Sequence, residues 1–389
     1  MKIAYLSTAQ VPSNRANSIQ VMKVCQALVQ NGEEVTLYVP GDQPADNQDF
    51  SSYYGLSVQF PLVYLKSRRS LKRFDFTLAG IRQARKNRSD LVYTRMIWAA
   101  FLARLRGFAV VLEMHDLPQG HLAPLIYRLF LKLRRPKLTV YITSALKQHT
   151  DEALAVKARE REFLIAPDGV DLERYENLPR SAEARSMLGL EEKVTAAYSG
   201  GFYAGRGLEI MQELALSFPQ VQFLWIGGNS QQVSEWQARL GAARVENVIL
   251  TGFVENAKLP LYQAAADVLL MPYSLAFGGS GGGDISAVSS PMKLFEYMAA
   301  GRCILASDLP VLREVLHHAS AAFYQPEDFS DLCAQFAGLI SDTQKREALA
   351  AAAKEDVKAY SWRRRMTGIM RAIRNLTGKQ EPKLDYDNL

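Results

Sequence analysis

Three groups of residues in this 389-residue chain carry chemistry. The first is Ser290-Pro291-Met292-Lys293-Leu294-Phe295-Glu296-Tyr297-Met298-Ala299-Ala300-Gly301, with a glycine-rich loop, Gly278 to Gly283, before it and the apolar run Cys303 to Ala306 after it. The pattern predicts loop, helix, strand. Pro291 suits a first helical turn, where no backbone N–H is needed, and Gly301 suits a C-terminal cap. A helix N-terminus offers free N–H groups and partial positive charge, so it can hold a phosphate. Lys293 in that turn adds a full charge. Glu296, one turn further in, can accept hydrogen bonds from sugar hydroxyls; it reads equally as a carboxylate on the wet face of an ordinary helix. The second group is Ser199-Gly200-Gly201-Phe202-Tyr203-Ala204-Gly205-Arg206-Gly207. A magnesium-dependent phosphate loop needs Lys followed by Ser or Thr, and Arg206-Gly207 stand there instead. Glycines plus one Arg still suit an anion, because backbone N–H groups approach closely and a guanidinium grips two oxygens. The third group is His115-Asp116, closing the apolar run Val110 to Met114. Ligands of open α/β sheets sit outside the carboxyl ends of strands, which favours His115; a purely structural His–Asp pair is the alternative.

The elements that must position these groups alternate regularly. Lys2 to Ser7 reads as a strand, Thr8 to Ser18 as a polar loop broken by Pro12, Ile19 to Val29 as an amphipathic helix and Val35 to Val39 as a second strand. This is the β-loop-α-β opening of a doubly wound domain. Its loop lacks GxGxxG, so a dinucleotide site is not expected there. Arg82 to Arg88 closes a basic helix, Leu91 to Tyr93 is a strand, Ile97 to Leu105 a helix, and His121 to Lys137 a segment mixing Leu122, Leu125, Leu129 and Leu133 with Arg128, Lys132, Arg134 and Arg135. Leu138 to Thr143 is a strand, and Pro167-Asp168-Gly169-Val170-Asp171 a turn. A polar stretch with Pro179 and Ser181 marks a domain boundary. The second half repeats the logic: strand Val194 to Tyr198, helix Leu208 to Phe218, and strands at Phe223 to Gly228, Val248 to Thr251, Val268 to Met271 and Ile304 to Ala306. A last helix starts at Tyr360-Ser361-Trp362 and runs to about Asn375.

Bulk properties set the class. The length fits two domains, and a hydrophobic content of 48% is that of a globular protein. No run of eighteen apolar residues predicts a transmembrane helix. Cys25, Cys303 and Cys333 are isolated, with no CxxC pattern, so a reducing cytoplasm is expected. The net charge of +6 is uneven. Residues 1–170 hold 24 basic and 14 acidic residues, a balance of +10, and the remainder is at −4. Such a face meets an anionic bilayer from the inner side or is simply solvated. No zinc-finger spacing or RNP-like signature is present, so no nucleic acid is expected.

Read together, these parts resemble the family-4 glycosyltransferases of retaining type. The resemblance runs from residue 1 to about 375 and rests on the order of the strand-loop-helix start, His115-Asp116, Pro167 to Asp171, Gly205-Arg206-Gly207, Thr251-Gly252-Phe253, Ala266-Asp267-Val268 to Met271-Pro272, and Lys293 to Ala299. It implies an α/β fold of GT-B architecture, two Rossmann-like doubly wound domains facing across a cleft. The expected division is 1–178 on the acceptor side, 179–358 binding the nucleotide-sugar, a helix 359–376 crossing back, and a flexible tail 377–389. The resemblance places Gly200, Gly201, Gly205, Arg206, Ser290, Pro291, Met292, Lys293, Leu294 and Glu296 at the donor. It places Asn14, Asn17, Ser18, His115 and Asp116 on the acceptor side. The catalytic group is then His115 beside the transferred sugar, with Arg206 and Lys293 at the departing diphosphate. No cofactor beyond the nucleotide-diphosphate sugar and no metal is expected, and the acceptor is a glycan or lipid-linked. The chain departs from the family at Val288, where its first motif Glu belongs, at Gly201, where an Arg is usual, and at Asn17-Ser18, near a usual glycine pair. Those departures leave donor identity open. A non-hydrolysing sugar-nucleotide epimerase of the same fold and a catalytically silent partner subunit are the alternatives.

Overall fold

The computed structural model describes residues 1–42, 50–68, 73–134, 136–278 and 284–378. Two compact units divide the chain: Met1–Asp168 with Trp362–Leu389, and Gly169–Ser361. The change of unit falls inside the Pro167–Asp171 turn, ten residues earlier than the polar stretch suggests. Tyr175 and Arg174 explain why. They bond to Gln263 and Asn256 of the second unit, at 3.0 Å and 2.8 Å.

In unit 1 the elements are β1 (Lys2–Leu6), α1 (Ala16–Gln30), β2 (Glu34–Pro40), α2 (Phe50–Tyr54), β3 (Leu62–Leu65), α3 (Phe74–Lys86), β4 (Leu91–Thr94), α4 (Ile97–Leu105), β5 (Ala109–Met114), α5 (Leu122–Lys132), β6 (Lys137–Tyr141), α6 (Ser144–Leu154) and β7 (Phe163–Ile165). The seven strands are parallel in the order β3-β2-β1-β4-β5-β6-β7. Strands buried on both faces read as continuous apolar runs, which is why β4 and β5 are legible in sequence. The sheet order reverses between β1 and β4, a position where α/β sheets open a crevice beyond the strand ends.

Unit 2 has α7 (Ser181–Met187), β8 (Thr195–Ser199), α8 (Leu208–Ser217), β9 (Gln222–Ile226), α9 (Ser230–Ala242), β10 (Val248–Gly252), α10 (Leu259–Ala264), β11 (Val268–Met271), α11 (Met292–Ala300), β12 (Cys303–Ser307), α12 (Pro310–Arg313), β13 (Ala322–Tyr324), α13 (Phe329–Ser341) and α14 (Thr343–Asp356). Its six parallel strands run β10-β9-β8-β11-β12-β13, reversing between β8 and β11. Trp225, Tyr198 and Phe336 are buried among its core aromatics.

Several boundaries move from their sequence positions. Helix α1 begins three residues earlier than Ile19, so Asn17 and Ser18 belong to its first turn and not to a loop. Helix α5 ends at Lys132, and Lys137 already lies in β6, paired with Glu162 at 2.5 Å. In α5 the inward face is Ile126, Tyr127 and Phe130, while Leu122, Leu125 and Leu129 are 57%, 49% and 39% exposed. Those three leucines therefore do not pack on the domain's own sheet. Arg135, Gly279 to Gly283 and residues 379–389 lie outside the described residues. Among the described residues no helix is long and apolar enough to cross a membrane.

The last helix, α15 (Trp362–Thr377), extends two residues past Asn375, so the expected tail begins inside it. It buries Trp362, Met366, Ile369, Met370 and Ile373 at helical spacing in unit 1, where it packs on α1, β5 and β6. Two arginines, Arg365 and Arg374, are buried with that face, and Arg374 pairs with buried Glu33. Ile369→Ala should lower the stability of unit 1 by about 2–5 kcal/mol, the usual cost of a large-to-small change in a packed core. A fall in the urea midpoint of that unit checks it; an unchanged midpoint would contradict the packing of α15.

Candidate functional site

Each unit gathers its candidate residues at the carboxyl ends of its strands. In unit 2, β8 ends at Ser199 and the chain turns through Gly200 to Gly207 into α8. Gly207 has φ +81°, and a Cβ there would lie 1.8 Å from the Pro272 carbonyl oxygen. Only glycine fits that close approach of two loops. Gly200 has φ +141°, and a Cβ on it would meet Lys293 Nζ at 2.6 Å. The glycines thus let the first loop lie against the residues that start α11, with Ser274 donating to the Gly205 carbonyl at 3.0 Å and Tyr198 to the Gly201 carbonyl at 3.0 Å.

Helix α11 starts as its sequence predicts, with Pro291 before its first residue and Gly301 at φ +61° closing it. No side chain caps its N-terminus. The first N–H groups of a helix lack intrahelical acceptors, but Leu294 N–H already donates to Pro291 O at 2.9 Å. Leu294 itself is buried in the core and supplies packing. Tyr297 anchors the helix by accepting from Ser199 N–H at 2.7 Å. Buried Gln263 donates to Glu296 at 3.4 Å and to Ser199 Oγ at 3.2 Å, and accepts from Tyr175 at 3.0 Å. Glu296 is therefore held by a buried amide, which an ordinary wet-face carboxylate is not.

Two cations converge here. Arg206 donates to the Gly278 carbonyl at 2.9 Å and lies 4.7 Å from the centroids of both Tyr273 and Phe277. Lys293 Nζ lies 3.7 Å from the Tyr198 ring centroid, is out of contact with solvent, and has no hydrogen-bond partner among the described residues. Burial first, and then Arg206, pull its pKa well below the ordinary lysine value, with Glu296 opposing. The full charge expected of Lys293 is thus disfavoured by its surroundings. An unpartnered lysine Nζ, an uncapped helix N-terminus and a held arginine are the kinds of group that can take an anion.

The family's first Glu position holds Val288, buried at 5% exposure. Asp284 is no ready substitute, because its Oδ1 accepts from Phe277 N–H at 3.2 Å and Ser286 N–H at 2.9 Å.

In unit 1, His115 follows β5 and is 15% exposed at its side chain. Its partner is not Asp116, which is exposed and accepts from Leu117 N–H and Gln119 instead. The ring Nε2 lies 2.5 Å from Oε1 of fully buried Glu113. Glu113 also accepts from Gln20 at 2.6 Å, from Tyr93, and from Arg365 of α15 at 3.3 Å. Burial pushes the Glu113 carboxyl up, but Arg365, then His115 and Tyr93, hold it well below its ordinary range. His115 is lowered by burial and by Arg95, against the pull of Glu113. Ligand atoms of Glu113, His115 and Asp168 lie within 4.8 Å of one another, a spacing open to a cation. Arg365 already brings a positive charge to Glu113, 3.2 Å from Oε1. Ser18 is fully buried and bonded to Tyr54 at 2.7 Å, which removes its side chain from the acceptor side. Asn14 is exposed, and Asn17 is half-buried with no partner for Oδ1 among the described residues. Sequence reasoning missed Glu113, Gln20, Arg95 and Arg365; the one visible signal was an acid inside the apolar strand Val110 to Met114.

Residues 18–174 match the family model described as Glycosyltransferase Family 4, and residues 206–342 the model described as Glycosyl transferases group 1. The phosphatidyl-myo-inositol mannosyltransferase of Mycolicibacterium smegmatis is 25% identical over 376 residues, covering 92% of this chain and 89% of the relative. The putative teichuronic acid biosynthesis glycosyltransferase TuaH of Bacillus subtilis is 27% identical over 206 residues, and the match spans about half of each chain, 52% and 49%. Among solved structures, HepE of Anabaena in complex with UDP superposes with a TM-score of 0.74 at 17% identity, over 97% of this chain and 100% of that one. Sucrose-phosphate synthase of Thermosynechococcus elongatus gives 0.76 at 18%, over 97% and 99%.

Lys293→Met tests the electrostatic description. A lysine held below its ordinary value leaves the unfolded chain binding more protons, so stability rises with pH up to that value. The variant lacks this slope. It should be at least as thermostable as wild type near pH 7, with the gap closing as pH approaches the ordinary lysine value of 10.5. A melting-temperature series checks it, and a variant less stable than wild type at neutral pH would contradict the unsatisfied ammonium.

Proposed function

The chain belongs to the family-4 glycosyltransferases of GT-B fold, and on that premise we propose that it moves a hexosyl unit from a nucleotide-diphosphate sugar to a glycan or lipid-linked acceptor with retention at the anomeric carbon. Unit 2 binds the donor. Lys293 carries the reading, since it stands in the first turn of uncapped α11 and its Nζ has no hydrogen-bond partner among the described residues. A diphosphate supplies that partner. As the glycosidic bond breaks, negative charge grows on the leaving diphosphate, and Lys293, Arg206 and the helix N-terminus stabilise it in place. Glu296, oriented by Gln263, accepts from ribose hydroxyls. The departing phosphate oxygen takes the acceptor's proton, and His115 of unit 1 is assigned to orient a hydroxyl of the sugar or acceptor. UDP in HepE and the mannosyltransferase activity of the relative support this donor class.

The test is a thermal-shift panel of UDP-, GDP- and ADP-sugars followed by hydrolysis assays on each binder. At least one should bind and turn over. Binding with no turnover would favour a silent partner subunit, and binding of none would overturn the reading. Glu296→Ala should raise the donor Kd roughly tenfold or more, for two lost hydrogen bonds at about 1 kcal/mol each, while the melting temperature holds. Because the charge at the diphosphate comes from side chains, EDTA should leave the rate unchanged.

A lipid-linked acceptor fits the surface of α5. Its exposed Leu122, Leu125 and Leu129 lie between basic residues of a domain at +10, and such a face adsorbs to anionic bilayers. Lys132 and Arg134 are exposed, whereas Arg128 is committed to the Leu154 carbonyl at 2.9 Å. Cosedimentation with anionic liposomes should fall with salt, and should drop for Leu122→Ser with Leu125→Ser more than for Arg128→Gln. Wild-type indifference to such liposomes at low salt would move the acceptor to the soluble glycans.

A further inference from the structure

Behind His115 stands the buried carboxylate of Glu113. Glu113 receives four donors: Gln20 and His115 on Oε1, Tyr93 on Oε2, and Arg365 across both oxygens. These come from α1, from β4, from the end of β5 and from α15, so the carboxylate is immobile on every side. Arg365 is itself fixed, donating to the carbonyls of Ala166 at 3.1 Å and Pro167 at 2.7 Å. A carboxylate paired with a guanidinium is ionised and can only accept. The imidazole nitrogen that faces it at 2.5 Å must therefore carry a proton. That nitrogen is Nε2. In the neutral ring the other nitrogen, Nδ1, is then an acceptor.

We propose that Glu113, clamped by Arg365 from the C-terminal helix, is a positioning residue that holds His115 as the Nε2–H tautomer with its Nδ1 lone pair kept for a substrate hydroxyl. The charged groups around the ring are Glu113 on β5, Arg95 after β4, Asp168 after β7 and Arg365 on α15, with Tyr93 beside Glu113. Asp168 is buried and faces the same cluster. With the ring neutral, Nδ1 accepts a hydrogen bond from a hydroxyl of the bound sugar or acceptor and orients it. With the tautomer reversed, Nδ1 becomes a donor, the hydroxyl is presented the wrong way round, and the catalytic geometry is lost without loss of the donor's diphosphate contacts. This part rests on the transferase reading for the identity of the hydroxyl. The tautomer itself does not.

The experiment uses the full chain with ¹⁵N-labelled histidine. Five histidines are present, and His115→Asn identifies the resonance of interest. Wild type should show a protonated Nε2 and an unprotonated Nδ1 for His115 at neutral pH. Glu113→Gln keeps the shape but lowers the pull on the ring proton; its His115 signals should become a tautomer mixture, kcat should fall by on the order of 10- to 100-fold, as for a misplaced reacting group, and the donor KM should stay within about twofold. Arg365→Lys retains the positive charge and should keep the Nε2–H signature and most of kcat. A wild-type Nδ1–H tautomer overturns the proposal even if Glu113→Gln fails to fold. So does a kcat loss in Glu113→Gln with an unchanged His115 spectrum, which a merely structural role would give. An Nε2–H spectrum in a chain that turns over no nucleotide-sugar supports the tautomer and counts against the transferase reading alone.

Discussion

A carboxylate inside a parallel sheet must be neutralised, and the way Glu113 is neutralised shapes unit 1. Burying an ion alone costs several kcal/mol or more, so a buried charge persists only with a partner and filled hydrogen bonds. The partner, Arg365, comes from the far end of the chain. Helix α15 must therefore return to the unit that β1 begins, and its apolar face of Met366, Ile369, Met370 and Ile373 provides the packing that holds it there. The same guanidinium fixes the turn at Ala166 and Pro167, just where the chain passes into the second unit. One ion pair thus joins strand, turn and terminal helix, and sets the ring of His115 at their meeting point.

Unit 2 treats its buried charge in the opposite way. Lys293 has a ring beneath it and a like charge nearby, and no acceptor among the described residues. Such an arrangement destabilises the ligand-free protein and favours any anion that completes it. Glu113 is saturated and Lys293 is poised. The first pattern suits a group that positions others, the second a group that can take a ligand. Strain of this kind is retained where function needs it, and the glycines at 200 and 207 permit it by letting two loops approach to contact distance.

Much of this was legible in the sequence because both sheets are parallel and buried. Continuous apolar runs mark β5, β11 and β12, and the Pro291 and Gly301 signals bracket α11 within one residue. What escaped notice has physical reasons. Strand β3 is four residues long and follows Pro61, and the buried face of α14 is largely alanine, so neither shows strong periodicity. Arg365 lies 252 residues from Glu113, and no local pattern can pair them. His115 was found from its place at a strand end, but its neighbour Asp116 suggested the wrong partner. In an extended backbone, residues two apart share a side, and Glu113 rather than Asp116 meets that condition. Ser18 was misplaced because the start of α1 has no side-chain cap to mark it.

The central claim is that the diphosphate of a donor completes the site of Lys293. Proton uptake on binding measures it directly. The nucleoside diphosphate of whichever donor binds is titrated calorimetrically into the full chain at about pH 9, below the ordinary lysine value, in two buffers of different ionisation enthalpy. An anion beside Nζ raises its pKa, so wild type should take up protons as it binds, and Lys293→Met should take up none. Binding to wild type with no net proton uptake would contradict the account.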